Sequence, residues 1–293
     1  MTRGELLSEL AVMLGAPHEA RFIVEDVLGP APWLGSGGVD VSADDVDTVC
    51  ALAERRSSGE PLQYVLGHWA FRSLDLLVDP RVLIPRPETE QVVEVALEQL
   101  RLLNQLDPII VDAGTGSGAI ALSFATELSS PHAKPTGQIW AVDCSADALE
   151  VAAANLDRVS QVHQGHTVPV SFIEGSWLTA LPTHLRGTVT LVVSNPPYVA
   201  ADEWTALSPE VHCEPVGALI SEAATDGTPG LGDVETVLRQ SLAWLGRPGV
   251  VVIELAPHQA EAAVALAISI GYSDVHVVPD LADRPRSLVG QVR

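Results

Sequence analysis

The residues best suited to chemistry stand together in Val-Val-Ser-Asn-Pro-Pro-Tyr, residues 192–198. The β-branched residues read as the end of a buried strand. Pro196 and Pro197 stop it, because proline cannot extend a ladder and holds φ at about −65°. Asn195 is therefore the last residue that a rigid strand can aim, and the proline after it biases it to an extended conformation. Its side chain offers one carbonyl acceptor and one NH2 donor. With the Pro196 carbonyl, held by a stiff backbone, it makes two acceptors pointing one way, suited to gripping a planar NH2 group. Tyr198 adds an aromatic face for a flat group. Taken alone, these residues also describe a strand followed by a tight turn.

A second constellation begins where the apolar run 109–111 enters Asp112-Ala113-Gly114-Thr115-Gly116-Ser117-Gly118. A helix is predicted from Ala119 to about Leu128. Glycines at alternate positions leave the inner surface of the turn free of Cβ atoms, so a ligand can approach the backbone closely. The following helix presents free N–H groups and a positive dipole end. The spacing is not G-x-G-x-x-G, and a carboxylate at Asp112 suits a cationic amino group better than a pyrophosphate. A second strand, 139–143, ends in Asp143, placed to take both hydroxyls of a ribose. A third, 168–173, leads to Trp177, which can line a flat base. A nicotinamide dinucleotide, a flavin and S-adenosylmethionine (SAM) all use such turns. SAM, with its ammonium, sulfonium and carboxylate, matches best: Asp112 would meet the ammonium and the helix end the carboxylate. The expected cofactor-binding set is Asp112, Gly114, Thr115, Gly116, Ser117, Gly118, Asp143, Trp177 and Asn195.

The elements that must position these groups follow from periodicity. Leu6, Leu7, Leu10, Ala11 and Leu14 recur at helical spacing before Gly15. Further helices are predicted over 18–28 and, capped by Ser42, through Arg56, with a loop at 35–38. Residues 69–72 and 74–78 read as a hairpin. Residues 83–90, Leu-Ile-Pro-Arg-Pro-Glu-Thr-Glu, are a stiff approach to a helix over 88–103, with acids favouring its dipole. The same stretch serves equally as a linker or as a wall of the active site. From Pro108 strands and helices alternate, the pattern of a parallel sheet covered on both faces. The fourth strand, 189–193, ends at Asn195. A long stretch, 201–233, is expected to fold over the site. A helix over 234–245, a turn at Pro248 and Gly249, a fifth strand at 250–254, a helix over 257–270 and an antiparallel pair at 272–278 and 287–292 complete the chain. The expected domains are 1–62, helical; 63–82, a hairpin linker; and 83–293, an α/β domain with a mostly parallel twisted sheet.

Composition excludes several classes. With 293 residues and 47% hydrophobic content the chain can bury a substantial core, and 18% charged residues do not make a disordered one. The net charge of −22, with Lys134 the only lysine, disfavours a wide nucleic-acid groove and suits a basic protein partner. Cys50, Cys144 and Cys213 have neither zinc nor disulfide spacing, so no metal is expected. Three reduced thiols, no signal peptide and no apolar run of about 20 residues point to a soluble, cytoplasmic protein, and a monomer is expected.

Together the turn 112–118, Asp143 and Asn195-Pro196-Pro197-Tyr198 resemble the Asn-Pro-Pro-Tyr class of Rossmann-like methyltransferases, which methylate planar nitrogens. Two further stretches, Pro-Leu-Gln-Tyr-Val-Leu-Gly at 61–67 and residues 83–90, are similar to the PrmC/HemK family, as are Glu214-Pro215, Asp280 and Arg286. The resemblance covers nearly the whole chain. It implies a class I SAM-dependent methyltransferase fold with a helical N-terminal substrate-recognition domain. It also implies methyl transfer from SAM, leaving S-adenosylhomocysteine, to the glutamine side-chain nitrogen (N5) in the Gly-Gly-Gln loop of peptide-chain release factors. Asn195, Pro196 and Tyr198 would be catalytic, and Pro197, Arg86 and Glu88 would join them in lining the substrate channel. One departure is Ser176, where many relatives carry an acid before the tryptophan. The alternatives are a ribosomal-protein glutamine methyltransferase, a nucleic-acid amino-methyltransferase and a SAM-binding regulatory module without catalysis.

Overall fold

The structure is a computed structural model that describes residues 1–30, 38, 40–129 and 136–293. Apart from Gly38, the loop expected at 35–38 lies outside the described residues. The chain divides into two compact units, Met1–Trp69 with Ser208–Cys213, and Ala70–Leu207 with Glu214–Arg293.

The first unit is helical. α1 (Arg3–Leu14) starts at a capping box, in which the Thr2 hydroxyl accepts from the Glu5 N–H and the Glu5 carboxylate accepts from Thr2 N–H. α2 (Pro17–Leu28) has proline in its first turn, and α3 (Ala43–Ser57) is capped by Ser42 as expected. Leu6, Leu10, Ile23, Val24 and Val49 form its dry centre. A short helix, α4 (Leu62–Leu66), was not anticipated. Pro61 opens it and Gly67 closes it in the left-handed region, so five residues make one turn between two punctuating residues.

Strands β1 (His68–Phe71) and β2 (Leu74–Leu77) pair as a two-stranded sheet. The second unit then runs through α5 (Pro87–Leu103), β3 (Ile109–Ala113), α6 (Ala119–Glu127), β4 (Gln138–Asp143), α7 (Ala146–Val162), β5 (Val170–Glu174) and β6 (Val189–Ser194). After the short strands β7 (Val199–Ala200) and β8 (Ile220–Ser221) come α8 (Gly232–Trp244), β9 (Leu245–Glu254), α9 (Ala260–Ile270), β10 (Ser273–Pro279) and β11 (Pro285–Val292). The main sheet has seven strands in the order β10-β11-β9-β6-β3-β4-β5. Only β11 runs against the rest, since it pairs antiparallel with both neighbours while β9, β6, β3, β4 and β5 pair in parallel. This is the Rossmann-like methyltransferase architecture that the alternating pattern and the resemblance imply.

Residues of α5, α6 and α7 pack with Ile110, Leu191 and Val252 on one face, and residues of α8 and α9 with Val111, Val192 and Ile253 on the other. Consecutive strand residues are thus buried on both sides, which is why these strands read as unbroken apolar runs. β9 begins five residues before its expected start. Its pairing jumps from Val189↔Leu245 to Leu191↔Val250, so Pro248 and Gly249 sit in an irregular stretch inside the strand rather than in a turn before it.

One buried polar residue stitches this unit. Asn155 of α7 is fully buried; its Oδ1 accepts from Leu77 N–H at 2.6 Å, and its Nδ2 donates to Leu77 O at 3.0 Å and Ser117 O at 2.9 Å. Truncation to alanine strands the groups of Leu77 and Ser117, each at about 1–3 kcal/mol. Asn155→Ala is therefore expected to lower unfolding stability by about 2–4 kcal/mol, read as a fall in urea midpoint at unchanged m.

Candidate active site

The carboxyl ends of β3, β4, β5 and β6 converge where the order reverses between β3 and β6, the place at which open α/β sheets bind ligands. A cavity of about 280 Å³ opens there. Gly114 and Gly116 after β3, Asp143 at the end of β4, Trp177 after β5, and Asn195 and Pro197 after β6 all line it.

The turn after β3 has its three glycines at positive φ, 79°, 54° and 85° for Gly114, Gly116 and Gly118. A Cβ on Gly114 would lie 3.2 Å from Cζ3 of Trp177, so the indole rests directly on that glycine. A Cβ on Gly116 would meet nothing within 4 Å, which leaves this backbone open to a ligand. Gly118 instead packs against Leu122 and Ala152. The Asp143 carboxylate faces the turn: Oδ2 accepts from Gly116 N–H at 2.8 Å and Oδ1 from Ser145 N–H at 2.9 Å. Each oxygen keeps a further lone pair for a ligand hydroxyl.

Asp112 does not stand where sequence reasoning put it. It is fully buried and is absent from the cavity wall. Its Oδ2 accepts from the Thr115 hydroxyl at 2.6 Å and from Ala121 N–H at 3.0 Å. One oxygen is thus tied to the α6 N-terminus, taking one of its free N–H groups, and the side chain does not line the cavity. Thr115, Ser117 and Gly118 are likewise buried and shape the turn from behind rather than lining the cavity.

On the β6 side, Ser194 is buried and donates to Ala113 O at 2.6 Å, which locks the tips of β6 and β3 together. Asn195 Nδ2 donates to the Thr89 hydroxyl at 3.2 Å, and Thr89 donates to Glu254 Oε2 at 2.7 Å. Tyr198 lies beyond the cavity wall, and burial pushes its hydroxyl up to about 12. Pro196 is buried and outside the wall too. Arg86 is committed to a buried partner: its Nη2 donates to Glu214, whose other oxygen accepts from Ile84 N–H at 3.0 Å. Glu88 lies 3.7 Å from Arg284 and 3.9 Å from Arg286. Neither Arg86 nor Glu88 reaches the cavity wall.

Sequence reasoning missed several groups here. Asp233, at the start of α8, lines the cavity, takes a hydrogen bond from the Trp177 side chain, and has its carboxyl raised by burial. It brings a carboxylate to the end of the cavity where Ser176 has none. Gln259 donates to Tyr198 O at 2.9 Å, and a Cβ on Gly230 would come within 2.4 Å of that oxygen, so the stretch after β8 is clamped onto the Asn-Pro-Pro-Tyr loop. No local spacing signals these individual contacts; only the expectation that 201–233 folds over the site covers the clamped stretch.

Burial pushes both the Asp112 and the Glu254 carboxyl up to about 7, and each has one oxygen without a hydrogen-bond partner. The folded chain therefore holds protons that the unfolded chain, with ordinary carboxyls, releases lower. Over that interval unfolding binds fewer protons, so stability falls as pH rises. The thermal midpoint is expected to decline between about pH 5 and about pH 7.5, and less steeply in the Asp112→Asn, Glu254→Gln double variant.

Comparison with known proteins places the chain. The family described as PrmC N-terminal domain matches residues 7–67. The release factor glutamine methyltransferase of Burkholderia pseudomallei is 36% identical over 279 residues, covering 94% of this chain and 91% of that protein. The enzyme of the same name from Bordetella pertussis is 38% identical over 280 residues, covering 94% and 96%. A methyltransferase crystal structure from Pyrococcus furiosus superposes with a TM-score of 0.51 at 17% identity, covering 76% of this chain and 90% of that one, and supports the fold. A catalytic sheet with this turn and this strand tip, joined to near full-length identity above a third, makes the chain a member of the release factor glutamine methyltransferase family.

Proposed function

We propose that this protein transfers a methyl group from SAM to the side-chain N5 of the glutamine in the Gly-Gly-Gln motif of peptide-chain release factors. The observation that carries the reading is that Asn195, at the tip of β6, stands on the wall of the same cavity as Gly114, Gly116 and Asp143. The residues present fit SAM. Asp143 offers two carboxylate oxygens towards a diol, Trp177 an apolar face, Asp233 a further acceptor, and Gly116 open backbone.

Bound SAM supplies an electrophilic methyl carried on a sulfonium. The chain's part is to hold the acceptor. An amide nitrogen is a poor nucleophile because its lone pair is delocalised into the carbonyl. Asn195 Oδ1 and the Pro196 carbonyl accept its two N–H bonds and turn the nitrogen towards the methyl donor. Such positioning can supply roughly 7–11 kcal/mol in favourable cases. As the sulfonium–methyl bond breaks and the nitrogen–methyl bond forms, the same fixed oxygens meet the positive charge that develops on nitrogen, which is discharged by loss of one N–H proton to water. Tyr198, Arg86 and Glu88, which lie beyond the wall of this cavity, would line the approach of the substrate from outside it.

Segment 1–62 is proposed to recognise the release factor and 63–82 to connect it to the catalytic segment 83–293. The net charge of −22 favours a protein substrate over nucleic acid. Among the described residues no helix is long and apolar enough to cross a membrane; a cytoplasmic site of action follows from the proposed substrate. Mass spectrometry of a release factor after incubation with the protein and SAM tests the reading. One added methyl on the Gly-Gly-Gln glutamine is expected. An unmodified release factor alongside a methylated ribosomal protein or tRNA overturns it.

A further inference from the structure

We infer that Thr89 and Glu254 are positioning residues that set which end of the Asn195 amide faces the substrate. The inference rests on the reading of Asn195 as the residue that holds the substrate amide, and deepens it.

A carboxamide is nearly symmetric in shape, and a half-turn about its last bond exchanges acceptor for donor. Only one orientation works here. With Oδ1 towards the cavity Asn195 accepts an N–H from the substrate; with NH2 outward, donor would face donor. Something on the protein must choose.

The chain of contacts behind Asn195 makes the choice. Thr89 is the third residue of α5 and is 3% exposed, and Glu254 closes β9 with no exposed surface. β6 and β9 are neighbours in register, Ser194 opposite Ile253, so Asn195 and Glu254 follow side by side and the start of α5 meets both. A hydroxyl carries one proton. Above about pH 7, where the Glu254 carboxyl is ionised and can only accept, Thr89 commits that proton to Glu254 Oε2 at 2.7 Å, leaving only lone pairs towards Asn195. Asn195 can therefore bond Thr89 only as donor, through Nδ2 at 3.2 Å. Its Oδ1 is left pointing away from Thr89, as an obligate acceptor on the cavity side. Glu254 is held in turn by β11, where Ser287 lies opposite it and the Leu255 N–H donates to Arg286 O at 2.8 Å. A buried carboxylate with one oxygen, Oε1, lacking any partner is costly to keep; aligning the hydroxyl is what it does here.

The test uses the full chain with a release factor and SAM at about pH 8, where Glu254 is ionised, measuring kcat, KM for the release factor, and SAM affinity by calorimetry. Thr89→Val, which keeps shape and removes the hydroxyl, is expected to cut kcat by about 10- to 100-fold. SAM affinity and KM should stay within about threefold, and Thr89→Ser should restore most of kcat. Glu254→Leu, which frees the Thr89 proton to bond Oδ1 and turn the amide, should lose a similar factor with Thr89 intact; it also serves if Thr89→Val does not fold. The double variant should be no worse than the poorer single, because the two act as one unit. Wild-type kcat in Thr89→Val, equal damage in Thr89→Ser, or multiplying losses in the double variant overturns the inference. A wild-type enzyme that leaves the release factor unmodified overturns the functional reading instead, so the two failures are told apart.

Discussion

Asn195→Ala is expected to lower turnover on a release factor by at least about a hundredfold, the scale of losing one preorganised group that meets developing charge. SAM affinity should change by less than about threefold, because Asn195 supplies one side of a cavity that is also lined from the ends of β3, β4 and β5 and by Asp233. The split matters more than the size. A residue that merely shaped the cavity would weaken binding and turnover together, whereas a residue that holds the acceptor amide acts on kcat. Single-turnover methylation at saturating SAM, with calorimetry on the same preparation, separates them. Normal single-turnover rates in the variant would remove Asn195 from the chemistry.

The opposite split is expected at Asp143→Ala. Its carboxylate takes the Gly116 and Ser145 N–H groups and faces the cavity, so truncation removes two charge-assisted bonds that set the turn and the acceptors offered to a ligand diol. Hydrogen bonds to charged groups are worth about 1.5–3 kcal/mol each, which makes a loss of SAM affinity of about a hundredfold or more the expected result. At saturating SAM the turnover should recover to within about tenfold of wild type. Unchanged SAM affinity would show that the diol site lies elsewhere.

The sheet was legible because β3, β6 and β9 are covered on both faces and so are written as apolar β-branched runs. The glycine turn was legible because positive φ at alternate positions leaves few other residues possible. Helix α4 was not, since five residues between Pro61 and Gly67 have no period to read. α7 runs on to Val162 through a polar stretch that hides its one apolar face. Within the site, sequence reasoning found residue types at strand ends but not their directions. Asp112 stands next to the turn in sequence, yet its carboxylate points into α6. Thr89 read only as a residue between the acids at the start of a helix and Glu254 as the end of a strand, because the partners that give them work lie 106 and 165 residues away. Asp233 stayed hidden for the same reason.

That long separation bears on how the protein is made. The turn after β3 needs only β4, synthesised a few tens of residues later, to close its Gly116–Asp143 bond. The grip of Thr89 on Asn195 has no such shortcut. It waits for residue 254, and the strand that carries residue 254 stays an open edge until β11 arrives. A chain emerging from the ribosome can thus complete its nucleotide-type turn while its amide-holding tip is still unaimed, and that tip acquires its aim only after β9 and β11 have both been synthesised.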